Sequence, residues 1–450
     1  MRRLFLLWLL CASGCTRLFG DAGTDPTMMA RDLGPVEGPA VDLGHGDASK
    51  PFTDGSTTPP ADLGDSGDDG GTLDGALPHD AATTPCAAGL FACATGCCAA
   101  TSLSLGLDYS CAVLSSGEAR CWGDGTYGRL GTGAAISQSA PVAVSSVANA
   151  SQIAAGYYDS CAIMNGQLSC WGDNRNGQLG DGTTSAHYQP TVVGLSNVTS
   201  IAKGRMRTCA VAGGGAWCWG WSQSVGALGD GTTSDRTQPT SVVGLASGVS
   251  TIAGGENHTC VLTPSGTVKC WGYNTGALGN NTTTSSAIPV DVLGLTGANE
   301  ITAGTTHTCA RTGGAVKCWG YNDHGQMGFA PGNNNYQLTA IAVTGLADVT
   351  ITQLSAGSQH TCALTSAGTI RCWGSNTAGQ LGRATIADQQ PALDVPSLPA
   401  PASFVASGSA HSCAIVSGGK VACWGNNALG QLGDGTNSNH TSPTLVKGSP

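Results

Sequence analysis

The chain has 450 residues, 68 of them Gly, with 11% charged and 5% aromatic residues. Gly at about twice its usual share with so few charges suits short strands joined by tight turns, and no heptad or 3.6-residue pattern argues for long helices. The formal charge of −10 is local: residues 16–85 hold 13 acids against Arg17, Arg31 and Lys50, leaving 16 acids against 14 bases in residues 86–450, so the near-neutral remainder lacks the basic face that nucleic-acid binding needs.

Residues 1–15 read as a secretory leader. Arg2 and Arg3 precede the apolar run Leu4–Leu10, which is too short to span a bilayer. The run ends at Ala12-Ser13-Gly14-Cys15, which resembles the lipobox of bacterial lipoproteins and would make Cys15 the lipidated first residue of the mature chain. Thr16 in place of an aspartate favours the outer membrane by the same resemblance, so the expected location is an outer-membrane or cell-surface lipoprotein held to the membrane by lipid alone. Residues 16–85 are rich in Asp, Gly, Pro and Thr, and Asp-Leu-Gly recurs at Asp32, Asp42 and Asp62. Such a segment buries too little apolar surface to offset its ordering entropy, and a disordered acidic tether is expected there.

Beyond the tether lies a repeat. Its first cysteines are Cys111, Cys161, Cys209, Cys260, Cys309, Cys362 and Cys413, with steps of 50, 48, 51, 49, 53 and 51 residues, and a period near 50 marks a repeat architecture. Each has a partner nine or ten residues on: Cys121, Cys170, Cys218, Cys270, Cys318, Cys372 and Cys423. Counting outward from the Asn165-Gly166 turn pairs Cys161 opposite Cys170 at a non-hydrogen-bonded position, with α-carbons about 4.5 Å apart, close enough for a disulfide. Gly213-Gly214 and Gly313-Gly314 centre the other nine-residue steps. The ten-residue steps have one more loop residue, and each such loop ends in Gly117, Gly266, Gly368 or Gly419, as a three-residue hairpin requires. Seven hairpin disulfides follow. The eight or nine residues between the repeat cysteines do not make a zinc site; Cys93, Cys97 and Cys98 come closer to that spacing, but with Cys86 they are expected to close two disulfides in a small cap over residues 86–100.

One period supplies four short strands, near Pro190–Leu195, Val198–Ala202, Thr208–Val211 and Ala216–Gly220, which is the pattern of a propeller blade. Ser442–Val446 at the chain end reads as an outer strand without a blade of its own, so it is expected to complete the first blade and close the ring. The phrases Ala356-Gly357-x-x-His360-Thr-Cys-Ala-Leu364, Gly368-x-x-x-Cys-Trp373-Gly374-x-Asn376 and Gly379-Gln380-Leu381-Gly382 resemble the repeat of the RCC1 family (regulator of chromosome condensation). The resemblance covers about residues 101–450 and implies an all-β, seven-bladed propeller with four antiparallel strands per blade.

The search for chemistry yields little. His258, His307, His360 and His411 share one repeat position, which Tyr109, Asp159 and Arg207 fill in the other copies. A polar group repeated once per blade is expected to satisfy backbone groups between blades rather than bind metal. The Trp-Gly pairs are expected in the core, and Asp181-Gly-Thr, Asp230-Gly-Thr and Asp434-Gly-Thr as turns. No phosphate loop, nucleophile elbow or zinc helix motif appears, so neither enzyme activity nor a cofactor is expected. Departures from the internal consensus, at Arg205, Arg207, Trp221, Phe329 and Tyr336, are the candidate binding loops. The favoured reading is a monomeric, envelope-anchored scaffold for a protein or glycan. The alternatives are nucleotide exchange on a small GTPase, implied by the family, and a secreted hydrolase or lyase.

Overall fold

The structure is a computed structural model, and residues 86–94, 96–331 and 335–448 are described. The leader, Cys15 and the acidic tether lie outside them.

The hairpin at the heart of each repeat has the register that its turn chemistry requires. In the second copy Asp159–Met164 pairs with Gln167–Gly172, placing Cys161 opposite Cys170. Asn165 and Gly166 turn at φ 52° and 75°, the left-handed pair of a type I′ turn. In the ten-residue copies the third loop residue takes the positive φ instead, 79° at Gly117 and 78° at Gly368. All seven pairs are disulfide-bonded, with α-carbons 4.0 to 4.1 Å apart, slightly closer than the about 4.5 Å of an ordinary non-hydrogen-bonded pair.

Each hairpin forms the middle of a four-stranded antiparallel sheet whose strands follow one another in sequence. There are seven such blades, over residues 100–143, 150–196, 198–241, 251–291, 300–342, 351–394 and 402–445. The first strands line a central channel of about 450 Å³. The fourth strand is the outer edge and joins the third through a bulge, as between Cys218 and Gly220. On these open edges the chain places Pro141, Pro190, Pro239, Pro289 and Pro443, one position before the residue opposite the third-strand cysteine. Their missing N–H would have pointed outward, where a free donor invites edge-to-edge pairing. Ala340 and Ala392 take that position in blades 5 and 6, and their N–H groups donate to the Leu293 carbonyl at 3.4 Å and the Thr344 carbonyl at 3.3 Å.

The expected ring closure is corrected by this topology. His440–Leu445 pairs with Lys420–Gly425 in the last blade, and the first blade has its own fourth strand, Gln138–Ala143. The outer strand thus belongs to the copy before it, across a long loop. Closure comes from packing of blade 7 on blade 1, sealed by the N-terminal cap. There Phe91–Cys93 and Gly96–Cys98 form a small hairpin, pinned by Cys86–Cys97 and Cys93–Cys98. Gly89 donates to the Val446 carbonyl and accepts from the Val421 N–H, and Phe91 stacks on Trp122 at 5.9 Å. The cap therefore grips the first and last blades together.

Candidate binding face

The repeated polar residues form a belt between blades. In each blade the Trp of the third strand is buried, and its Nε1–H donates to a loop carbonyl of the preceding blade, as from Trp319 to Ala277 at 2.8 Å, Trp373 to Gln326 at 2.9 Å and, across the closure, Trp122 to Gln431 at 2.9 Å. The Ser or Thr before the first cysteine donates to the same carbonyl, as Thr361 does to Gln326 and Ser110 to Gln431. That hydroxyl then receives the histidine of the preceding blade. His258 Nε2 lies 2.8 Å from Thr308, His307 2.9 Å from Thr361, His360 2.9 Å from Ser412, and His411 2.9 Å from Ser110. Because each hydroxyl spends its one proton on the carbonyl, the imidazole must donate from Nε2. Burial then holds the rings neutral, pushing His258, His360 and His411 down to about 3 and His307 to about 4.

The other three copies reach the same hydroxyl with different chemistry. Tyr109 lies 2.8 Å from Ser160. Arg207 Nε donates to Thr259 at 3.1 Å. Asp159 acts through Lys203, which bridges it to Thr208. Burial raises the Asp159 carboxyl and lowers the Lys203 ammonium, outweighing their mutual attraction. Arg207 is 1% exposed, so it is a seam residue and not a surface loop contact. Its place as the counterpart of the histidines already pointed that way.

One end of the channel meets the turns between first and second strands. Tyr157 reaches across it, with its hydroxyl close to Thr305, Glu256 and Ser358 from blades 5, 4 and 6. The residue after each Trp-Gly sits on this same end, because its N–H donates to the carbonyl of the adjoining turn, as from Trp221 to Met206, Tyr273 to Asn257 and Tyr321 to Thr306. Read around the ring, this position holds Asp124, Asp173, Trp221, Tyr273, Tyr321, Ser375 and Asn426. Three consecutive blades thus present aromatic rings, with Tyr273 43% exposed.

Blades 1 and 2 extend the arc. Tyr127, 37% exposed, meets Tyr158 edge-on at 5.8 Å. The buried Arg129 guanidinium lies 5.0 Å from the Tyr158 ring and 6.0 Å from Tyr127, fixed by Asp124 at 3.0 Å and the Tyr157 carbonyl at 2.9 Å. Arg175 covers Tyr127 from outside at 4.7 Å and pairs with Asp173 through two contacts of 2.9 and 3.1 Å.

Of the sequence candidates, Trp221 and Arg205 stand on this end, Arg205 paired with Glu256 at 3.3 Å. Tyr336 joins them, opposite Tyr321 across the last two strands of blade 5 and 39% exposed. Phe329 is half-buried and packs into the core between blades 5 and 6, so it does not line this surface. Tyr127, Tyr158, Tyr273 and Tyr321 were missed. Their signal was present in the one position after Trp-Gly that changes from copy to copy, and in the two tyrosines of blades 1 and 2.

Residues 194–450 match the RCC1-like domain, and residues 116–163, 165–211 and 100–129 match the regulator of chromosome condensation repeat. The chain belongs to the RCC1-like family. Its RCC1 propeller is similar in fold to yeast (Saccharomyces cerevisiae) Prp20p, with TM-score 0.67 and 20% identity over 78% of this chain and 87% of that one. Human WBSCR16 is similar at TM-score 0.60 and 20% identity, over 69% and 84% of the two chains. Among curated RCC1 relatives, the probable E3 ubiquitin-protein ligase HERC4 of Homo sapiens is 37% identical over 107 residues, 23% of this chain and 10% of that protein. The RCC1 domain-containing protein RUG3, mitochondrial, of Arabidopsis thaliana is 34% identical over 119 residues, 24% of this chain and 27% of that protein. The match thus spans about a tenth of the ligase and about a quarter of RUG3.

Proposed function

We propose that this RCC1-like chain is a non-enzymatic binding scaffold, exported and held to the bacterial outer membrane or cell surface by a lipid on Cys15, with residues 16–85 as a spacer and the propeller recognising a protein or glycan. One observation carries the reading. The repeated polar groups, namely the histidines, the hydroxyls and the tryptophans, are spent on contacts between blades, whereas the aromatic side chains that depart from the repeat, Tyr127, Tyr158, Trp221, Tyr273, Tyr321 and Tyr336, gather on one end and are exposed or half-buried. Nine disulfides among the described residues fit an oxidising compartment. Two measurements test it. The full chain should take up labelled palmitate and partition with membranes, and Cys15→Ser should do neither. Purified full chain should also bind a component of the producing cell's envelope or medium saturably; no such binding would sink the scaffold.

A second reading, nucleotide exchange on a small GTPase, is favoured by the family match. Yeast Prp20p, similar in fold, is described with its binding to Gsp1p and histones. A release assay on GDP-loaded small GTPases decides it: release at the spontaneous rate rules it out.

A further inference from the structure

The scaffold reading leaves open what the arc of aromatic rings recognises. Resting on that reading, we propose that the end of the propeller carrying Tyr127, Tyr158, Trp221, Tyr273 and Tyr321 is a recognition surface for a protein partner that presents an uncharged contact patch.

Four observations support it. The composition is that of loops built for protein recognition, with Tyr and Trp as large anchors that lose little entropy on contact, set among Ser, Thr, Asn, Gln and Gly. The anchors of blades 1 and 2 are held before any partner arrives. Arg129, 1% exposed, lies beneath both rings with its own guanidinium saturated by Asp124, Thr126 and the Tyr157 carbonyl, so ordering costs little on binding. The backbone is strained in the same place: Tyr127 sits at φ 59°, and Gln223 and Ser224, just after Trp221, at 58° and 55°. Bulky or polar residues other than Asn pay for that conformation, and such strain gathers where a site must hold a set shape.

The fourth observation concerns charge. Arg129, Arg175 and Arg205 are paired with Asp124, Asp173 and Glu256, so the arc offers a partner no unpaired arginine. Attraction is then expected mainly from ring burial and neutral hydrogen bonds, and association should depend little on salt. Blades 6 and 7 carry Ser375 and Asn426 at the equivalent position, which confines the surface to one side of the ring.

The test places a photo-crosslinking amino acid at Tyr127 or Tyr273 of the full chain in its producing cell, and at Ile288 or Leu393 on the outer strands as controls. The expected result is a polypeptide adduct from the first two positions and none from the controls. The captured protein, purified, should bind wild type with an affinity that changes less than about threefold between about 50 and 500 mM salt, and Tyr273→Ala and Trp221→Ala should each weaken it at least about tenfold. Tyr273 is 43% exposed and stands at the surface, so its variant should stay within a few degrees of the wild-type thermal midpoint, which separates lost contact from lost fold. Polypeptide adducts equally from the outer strands, adducts to glycan, or a strong salt dependence would overturn the proposal while leaving the scaffold standing. No adduct at any position, together with no saturable binding by the purified chain, would overturn both.

Discussion

At the scale of single residues, the belt histidines make stability depend on pH with a definite sign. His258, His307, His360 and His411 hold their folded values at about 3 to 4, below the usual 6.5 of an unfolded imidazole. Between those limits the unfolded chain binds more protons than the folded one, so stability is full above about pH 6.5 and lost as pH falls. Asp159, whose carboxyl burial raises, binds its proton in the folded state over part of this range and offsets one histidine. The net of about three protons corresponds to roughly 4 kcal/mol per pH unit near pH 5, as an upper bound. Denaturant unfolding at pH 7.5, 6 and 5 measures it, and His307→Asn should reduce the slope by about one proton's worth; a flat profile would refute the account. The histidine role was legible from the one-per-blade recurrence. Its partner was not, because only the closed ring brings the hydroxyl of the next copy, about fifty residues on, to the imidazole.

At the scale of the hairpin, the two turn lengths differ in what surrounds them. A Cβ on Gly214 would meet nothing within 4 Å, whereas one on Gly117 would sit 2.8 Å from the Asn149 backbone, where the next blade begins. Both have positive φ, 77° and 79°. Gly214→Ala should therefore cost only the strain of a left-handed alanine, about 1 kcal/mol, and Gly117→Ala clearly more, since backbone must move as well. Chemical denaturation of the two variants compares them, and equal losses would contradict the contact. The disulfides differ likewise. The hairpin cysteines are at most 2% exposed, while Cys97 in the cap is exposed. Mild reductant without denaturant should label Cys86 and Cys97 before any hairpin cysteine, as read by alkylation and peptide mapping. Hairpin register was legible in full, because turn chemistry and cysteine spacing both lie within a dozen residues. The phase of the blade was not. A short link such as Asn197 joins the outer strand to the next copy in sequence, but its hydrogen bonds go back across residues 173–186 to Gln167–Gly172.

At the scale of the whole molecule, the ring closes without a shared strand, so the seam between blades 7 and 1 depends on side-chain packing and on the cap. Phe91 is fully buried against Trp122, and Phe91→Ala should cost about 3 kcal/mol or more. Hydrogen exchange should quicken most at Val421, whose N–H donates to Gly89; uniform change through all blades would argue against a local clamp. The seven-fold architecture was legible in the period. The aromatic arc was not, since its members come from five different blades and only the ring sets them side by side.

The uninterrupted blades also bear on how the chain is made. Among the described residues no strand waits for the opposite terminus, and every hairpin cysteine finds its partner nine or ten residues away. As the chain emerges from its N-terminus, each blade can collapse and oxidise with its nearest cysteine before the next appears, so the order of synthesis itself selects the native pairing among many possible ones. By the same logic, duplication or loss of about fifty residues would add or remove one complete unit without unravelling its neighbours, a simple route by which such rings can change their number of blades.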